Sequence, residues 1–293
     1  MPNRPRLKTY TFYGFNVKYL ASDSSADRYL EIFRTIFNDR IGIPVSQERV
    51  IALKTQFTGS TNNGTVRMLW GQIIRFTSIE GFNWYHSLDR TIINYEIPPN
   101  VNPNPFEGFY VFIPEIHRFF VGVSFNISPN SIKAFLSKAV SQVVSRNAFG
   151  DLVIVEIIQS QDVIDRILQA DRVTRLEVDI SYTNDDVGDE AQDFLDNLLK
   201  DGKVGRMKAI FNPDESNALN TGNNLVRGAV ELAKENGKVT ASVVTGGKRQ
   251  TIRTENYPEK IRVESLTEEG LKTALAQQMF SKYREKQTGE SNE

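Results

Sequence analysis

The sequence predicts an α+β fold, with an antiparallel, β-rich N-terminal domain with packed helices followed by a mixed α/β C-terminal domain. Three observations predict it. Period-two alternation under a heavy aromatic load dominates the first half. From Asp151 a strand–helix–strand rhythm replaces it. Charge and aromatics also divide between the halves: residues 1–150 hold 16 Lys and Arg against 10 Asp and Glu, with 24 of the 30 aromatics, whereas 151–293 hold 19 against 26. A net of +6 beside one of −7 places a boundary near Ser145–Asp151, with domains over 1–147 and 148–293.

The elements follow in order. Leu7–Leu20 alternates and reads as a strand. Ser24 or Ser25 caps a helix over Asp27–Asn38, where Tyr29, Ile32, Phe33, Ile36 and Phe37 form one stripe. Arg49–Thr58 and Thr65–Thr77 read as strands joined by a Gly59–Gly64 turn. On the second strand Arg67 and Arg75 share the outward face, and Val66, Met68, Trp70, Ile74 and Phe76 take the core face. Phe82–Ile97 reads as mostly extended, and Pro98–Pro105 is a loop of Pro and Asn apart from Val101. Phe106–Ile113 and Ile116–Asn126 form a hairpin around Pro114-Glu115; His117 lies with Phe119, Val121, Val123 and Phe125, and Arg118 points the other way. Ser128 caps the helix to Arg146, with Pro129 at its first position and Ile132, Phe135, Leu136, Ala139, Val140 and Val143 as its apolar stripe.

In the second half, Leu152–Ile158, Arg172–Tyr182 and Val204–Phe211 read as strands, and Asp162–Gln169, Asp189–Leu199 and Leu225–Glu235 as helices. The last of these ends at Asn236-Gly237. Val239–Thr245, Arg249–Thr254 and Lys260–Ser265 are further strands, the first two joined tightly at Gly246-Gly247. Thr267 caps a final helix through Arg284, docking on its own subunit or on a twin.

Composition excludes several chemistries. The chain of 293 residues is 40% hydrophobic and 24% charged, enough for a core without staples. No run approaches the ~18 apolar residues of a membrane span, and Met1–Arg6 lacks the apolar stretch of a signal peptide. Zero Cys excludes disulfides, iron–sulfur clusters, Cys-ligated zinc and thiol catalysis; two His, His86 and His117, leave little for a His-built metal site. The expectation is a cytoplasmic protein with no cofactor and no membrane.

No motif identifies a reaction. Thr245-Gly246-Gly247-Lys248-Arg249 lacks the first Gly of a phosphate loop and has Arg249 where Ser or Thr must hold the metal. It reads as a hairpin turn whose basic tip could touch a phosphate backbone. His86-Ser87-Leu88-Asp89 holds triad residue types too close in sequence to form a relay, and reads as a polar turn. His117 reads as a core histidine. Asp185, Asp186, Asp189, Glu190 and Asp193 suit a first helical turn. Glu177 and Asp179 share one strand face and, with a second-half Lys, leave a metal-dependent nuclease as an alternative.

The remaining signal is basic. Residues 1–22, 49–79 and 116–150 contain Lys and Arg but no acid, as do the shorter pieces Gly202–Pro213 (Lys203, Arg206, Lys208) and Asn236–Thr254 (Lys238, Lys248, Arg249, Arg253). Cations without nearby acids support a positive field, and neutralised phosphates release counterions. The candidate nucleic-acid-binding residues are Arg67, Arg75, Arg118, Lys133, Lys138, Arg146, Lys248 and Arg249. The expectation is non-catalytic, sequence-tolerant nucleic-acid binding; a protein-interaction module whose acidic second half meets a basic partner is the other alternative.

Three segments carry a resemblance: Phe109-Tyr-Val-Phe-Ile-Pro-Glu-Ile-His-Arg-Phe-Phe-Val-Gly-Val-Ser-Phe-Asn126 with Ser128-Pro-Asn-Ser-Ile-Lys-Ala-Phe-Leu136; Arg175–Ser181 with Thr183–Asp186; and Ala233–Val239. Together they resemble a bacterial family of unknown function found in mobile and defence-associated gene neighbourhoods. The order of a β-rich half, hairpin, helix and α/β half is also similar to the DNA-binding component of the lambda Rex exclusion system, RexA, and to the DNA-binding subunit of the Kiwa defence system. The resemblance implies duplex DNA as ligand, a homodimer, and a role in phage defence or exclusion with a phage or defence-system protein as a possible partner. No functional residue transfers from it.

Overall fold

The computed structural model describes residues 7–20, 25–61, 64, 66–79, 83–145, 152–181, 199, 201–202, 204–214 and 218–288. The fold is α+β. A nine-stranded antiparallel sheet is built on β1 (Lys8–Leu20), a strand of 13 residues. On one side β1 pairs with β9 (Arg118–Gly122), followed by β8 (Phe106–Ile113), β5 (Val66–Thr77), β3 (Arg49–Leu53) and β2 (Gly42–Pro44). On its other side β1 is shared end to end by β10 (Leu152–Ile157) and β15 (Lys260–Ser265). The strand expected over Arg49–Thr58 divides into β3 and β4 (Phe57–Thr61), both paired with β5. Between them the N–H groups of Lys54 and Thr55 both donate to the Gln72 carbonyl. Gly71 permits that crossing, because a Cβ there would stand 2.1 Å from the Thr55 carbonyl oxygen.

Both faces of this sheet carry a buried core. One packs against α1 (Ala26–Asn38) and α2 (Pro129–Val144), with Phe15, Val17, Leu69, Ile73, Phe112 and Phe119 meeting Phe33, Ile36, Leu136 and Val140. Both helices have the caps their sequences announce: Ser25 accepts from the Arg28 N–H and Ser128 from the Ser131 N–H. The other face carries Phe12, Met68, Val111, Ile113 and Phe120 and is covered by Leu271, Leu275, Met279 and Tyr283 of α5 (Glu268–Thr288). The final helix therefore docks on its own chain. Between β5 and β8, β6 (Asn83–His86) and β7 (Thr91–Asn94) form a separate two-stranded hairpin, the turn expected over His86–Asp89 falling at Ser87–Arg90.

The second half builds a four-stranded sheet of order β12 (Arg206–Phe211), β11 (Arg172–Ser181), β13 (Gly237–Thr245), β14 (Lys248–Arg253). It is antiparallel at every pairing. Here α4 (Asn224–Asn236) links β12 to β13 across the intervening β11, so the strand–helix–strand rhythm does not produce adjacent parallel strands. One face packs on α3 (Gln161–Leu168) and α4 through Val178, Ile180, Val239 and Ala241 against Ile164, Ile167, Ala229 and Val230. Gly237 ends α4 with an extended backbone; a Cβ there would stand 1.9 Å from the Asp179 carbonyl oxygen, so close strand approach requires the glycine. At Gly246-Gly247 φ is +55° and +74°, as the tight hairpin demands.

The division expected near Ser145–Asp151 is not where the structure divides. β10, β15 and α5 come from the second half and complete the first sheet. The second sheet is an insertion between β10 and β15. Its ends lie side by side, with Gln159 bridging Pro258 and the Glu259 N–H donating to the Ile158 carbonyl at 2.8 Å. The expected helix over Asp189–Leu199 and the acidic cluster of Asp185–Asp193 lie outside the described residues, apart from Leu199.

Candidate functional site

Among the described residues, the structure does not gather the cations singled out by sequence. Arg67 and Arg75 do share a face of β5, but Leu69 and Ile73 between them are buried beneath α1 and α2, so that face is core. The two arginines sit at opposite ends, eight residues or about 26 Å apart. Arg67 is held by Asp27 and by Glu115 at 2.7 Å. Arg75 lies over the Phe106 ring and donates to the Asn126 carbonyl. Lys133 pairs with Glu156 at 2.5 Å, and Lys138 is exposed near the Pro44 carbonyl. Arg146 lies outside the described residues.

Arg118 is the largest departure. The strand expected over Ile116–Asn126 is β9 alone, flanked by 3-10 turns at Pro114–Ile116 and Val123–Phe125. His117 sits at φ +53°, in the left-handed region, which ends the alternation on which the outward reading of Arg118 rested. The His117 ring packs on Tyr29 instead. Arg118 is fully buried and contacts Glu235 at 2.8 Å, Asn16 Oδ1 at 2.7 Å and the Ile116 carbonyl at 3.0 Å, with Tyr283 beneath its guanidinium. Asn16 in turn donates to the Glu235 carbonyl and Asn236 Oδ1, and buried Lys18 donates to Ser181 Oγ at 3.0 Å. These groups join the two sheets. They are structural, since a buried cation without its partner costs several kcal/mol.

Cations do converge on the open face of the second sheet, opposite α3 and α4. Cross-strand register puts Arg206, Lys208 and Ile210 of β12, Arg172, Arg175, Glu177, Asp179 and Ser181 of β11, Lys238, Thr240, Ser242 and Val244 of β13, and Arg249, Thr251 and Arg253 of β14 on that face. Among the described residues it carries seven basic groups against two acids and no aromatic ring, and a third acid, Glu255 just past β14, pairs with Lys238 at 3.3 Å. It measures about 14 Å across the strands and about 30 Å along β11. Lys248, at the hairpin tip, projects from the opposite face.

The two acids are engaged. Asp179 takes a two-pronged contact from Arg206 at 2.6 and 2.5 Å, with Lys208 at 3.8 Å; the Arg206 hydrogen bond holds the Asp179 carboxyl below the ordinary aspartate value. Glu177 pairs with Arg175 at 2.8 Å. Guanidinium groups thus occupy the carboxylate oxygens that a metal-dependent nuclease would use. No group of three or more metal-ligating side chains occurs among the described residues. Of this face the sequence reading singled out Arg249 alone for binding. Arg206, Lys208, Lys238 and Arg253 stand in its two shorter acid-free stretches, and their alternation with Met207, Ala209, Val239 and Ile252 is the signal that places them outward.

Fold and surface together define an α+β protein with a second sheet inserted between strands of the first, its open face basic. The family model described as a domain of unknown function, DUF4747, matches residues 8–281, and the chain belongs to that family. No curated protein matches it. The match begins at the first residue of β1 and ends within α5, so the family unit spans both sheets. Among the described residues, no helix is long and apolar enough to cross a membrane.

Proposed function

We propose that this protein binds nucleic acid, duplex DNA foremost, with little sequence preference, through the open face of the second sheet. The observation that carries the reading is the convergence there of Arg172, Arg175, Arg206, Lys208, Lys238, Arg249 and Arg253, against Glu177 and Asp179 on the face and Glu255 beside Lys238 at its margin. The face runs about 30 Å, close to the ~34 Å of one turn of duplex. With no aromatic ring on it among the described residues, the face is suited to backbone contact rather than to base readout. The role in phage defence or exclusion draws its support from the motif resemblance. Phage plating on cells with and without the intact chain tests it, an unchanged efficiency counting against it.

Binding to a labelled duplex across a salt series tests the contact itself. With about five phosphate contacts, log affinity falls against log salt with a slope near −4 to −5. Arg249→Gln with Arg253→Gln lowers the magnitude of that slope by about 2. Lys54→Gln, a cation paired with Glu107 on the first sheet, leaves the slope unchanged. Salt-insensitive affinity, or a slope indifferent to the Arg249/Arg253 pair, overturns the reading.

A further inference from the structure

The hairpin of β6 and β7 leaves apolar side chains in water on both of its faces. Tyr85 and Ile92 lie opposite each other on one face at 67% and 74% exposure, Ile93 and Tyr95 line the other, and Leu88 at the tip is 86% exposed. A lone two-stranded hairpin is marginal in water, and a cluster of exposed large apolar side chains on one arm marks an interaction site. The first sheet holds a matching concavity. Beside the N-terminal turns of α5, Tyr10, Phe57, Trp70 and Phe109 surround a groove of about 860 Å³, with buried Phe12 at its floor, Lys272 over the Trp70 ring and Gly122 in its lining. Groove and arm share one end of the sheet: the arm leaves at Thr77, five residues or about 17 Å beyond Gln72, and returns at Phe106, next to Glu107, and both Gln72 and Glu107 line the groove.

We propose that the occupant of this groove is the hairpin arm of a second copy of this chain, exchanged reciprocally in a two-fold dimer. One arm and one groove per chain at the same end of the sheet give a self-complementary surface that closes with two copies. Five exposed side chains per arm present on the order of 100 Å² each. Two arms and the walls they cover come to on the order of 2,000 Å², the scale of a specific interface. The Pro98–Pro105 segment, with four prolines and the Thr77 N–H bonded to the Pro103 carbonyl, stiffens the return of the arm and limits the entropy lost on docking.

Sedimentation of the full chain tests this, independently of nucleic-acid binding because the basic face lies on the other sheet. The wild type sediments as a dimer at micromolar concentration. The arm variant Tyr85→Ser/Leu88→Ser/Ile92→Thr changes only exposed positions. The groove variant Gly122→Leu enters a backbone at φ −59°, where a Cβ meets nothing closer than Ser124 Oγ at 3.4 Å. Each weakens dimerisation by at least about 100-fold while the circular dichroism spectrum is retained. Mixing the two gives a heterodimer tighter than either homodimer and weaker than the wild type, since the intact arm of one enters the intact groove of the other while the second contact stays broken. A monomeric wild type at about 100 µM, a dimer indifferent to both variants, or a dimer sensitive to the arm but not to Gly122→Leu overturns the proposal; the last outcome assigns the arm to another partner.

Discussion

At the scale of single residues, partners decide what a charge does. Arg118 and Glu235 are both buried, 117 positions apart in sequence, and neither is tolerable there alone. Glu235→Ala is expected to destabilise the protein by about 3–5 kcal/mol in urea unfolding, whereas replacing both partners, Arg118→Met with Glu235→Leu, costs much less. Asp179 makes the opposite kind of contribution, at a part-exposed position. Its carboxyl is held low chiefly by Arg206. Its stabilisation is therefore present above the unfolded value of about 4 and is lost as pH falls through the lower folded value. The stability gap between wild type and Asp179→Asn should accordingly narrow as acid titration proceeds below about pH 4; a gap constant to pH 2 would contradict the assignment.

At the scale of elements, β1 organises the first sheet because three strands use its two edges. Its alternation puts Phe15 and Val17 beneath α1 and α2 and Phe12 beneath α5, so neither face is solvent. The helix caps, apolar stripes, Pro–Asn loop and Gly-Gly hairpin are all legible in the sequence, because each depends on residues a few positions apart. The split of Arg49–Thr58 into two strands is not, since it depends on the Thr55 carbonyl meeting Gly71 on a different strand. Gly71→Ala places a methyl against that backbone oxygen. It is expected to cost about 1–3 kcal/mol or more in urea unfolding, and a neutral result would show that the crossing can relax.

At the scale of the whole molecule, the change of composition near residue 150 marks the approach to an inserted sheet rather than a boundary between independent domains. A fragment 1–147 lacks β10, β15 and α5, leaving Phe12, Met68, Val111 and Phe120 uncovered. It is expected to aggregate or to show no cooperative unfolding transition, while the full chain unfolds cooperatively; a soluble, cooperative fragment would show that the first sheet does not need its two late strands and helix.

The sequence by itself determined the α+β class, the order and type of most elements, and the runs of chain free of carboxylates. Only the tertiary structure decided which cations remain for a ligand. Periodicity reports which face a side chain takes relative to its own neighbours in sequence, and acid-free runs report charge along the chain. Electrostatic partnership acts through space: Glu115 reaches Arg67, Glu156 reaches Lys133 and Glu235 reaches Arg118 across 48, 23 and 117 residues of sequence. Strands β12, β13 and β14 instead turn their basic sides to solvent, because the helices that bury their apolar sides all lie on the opposite face.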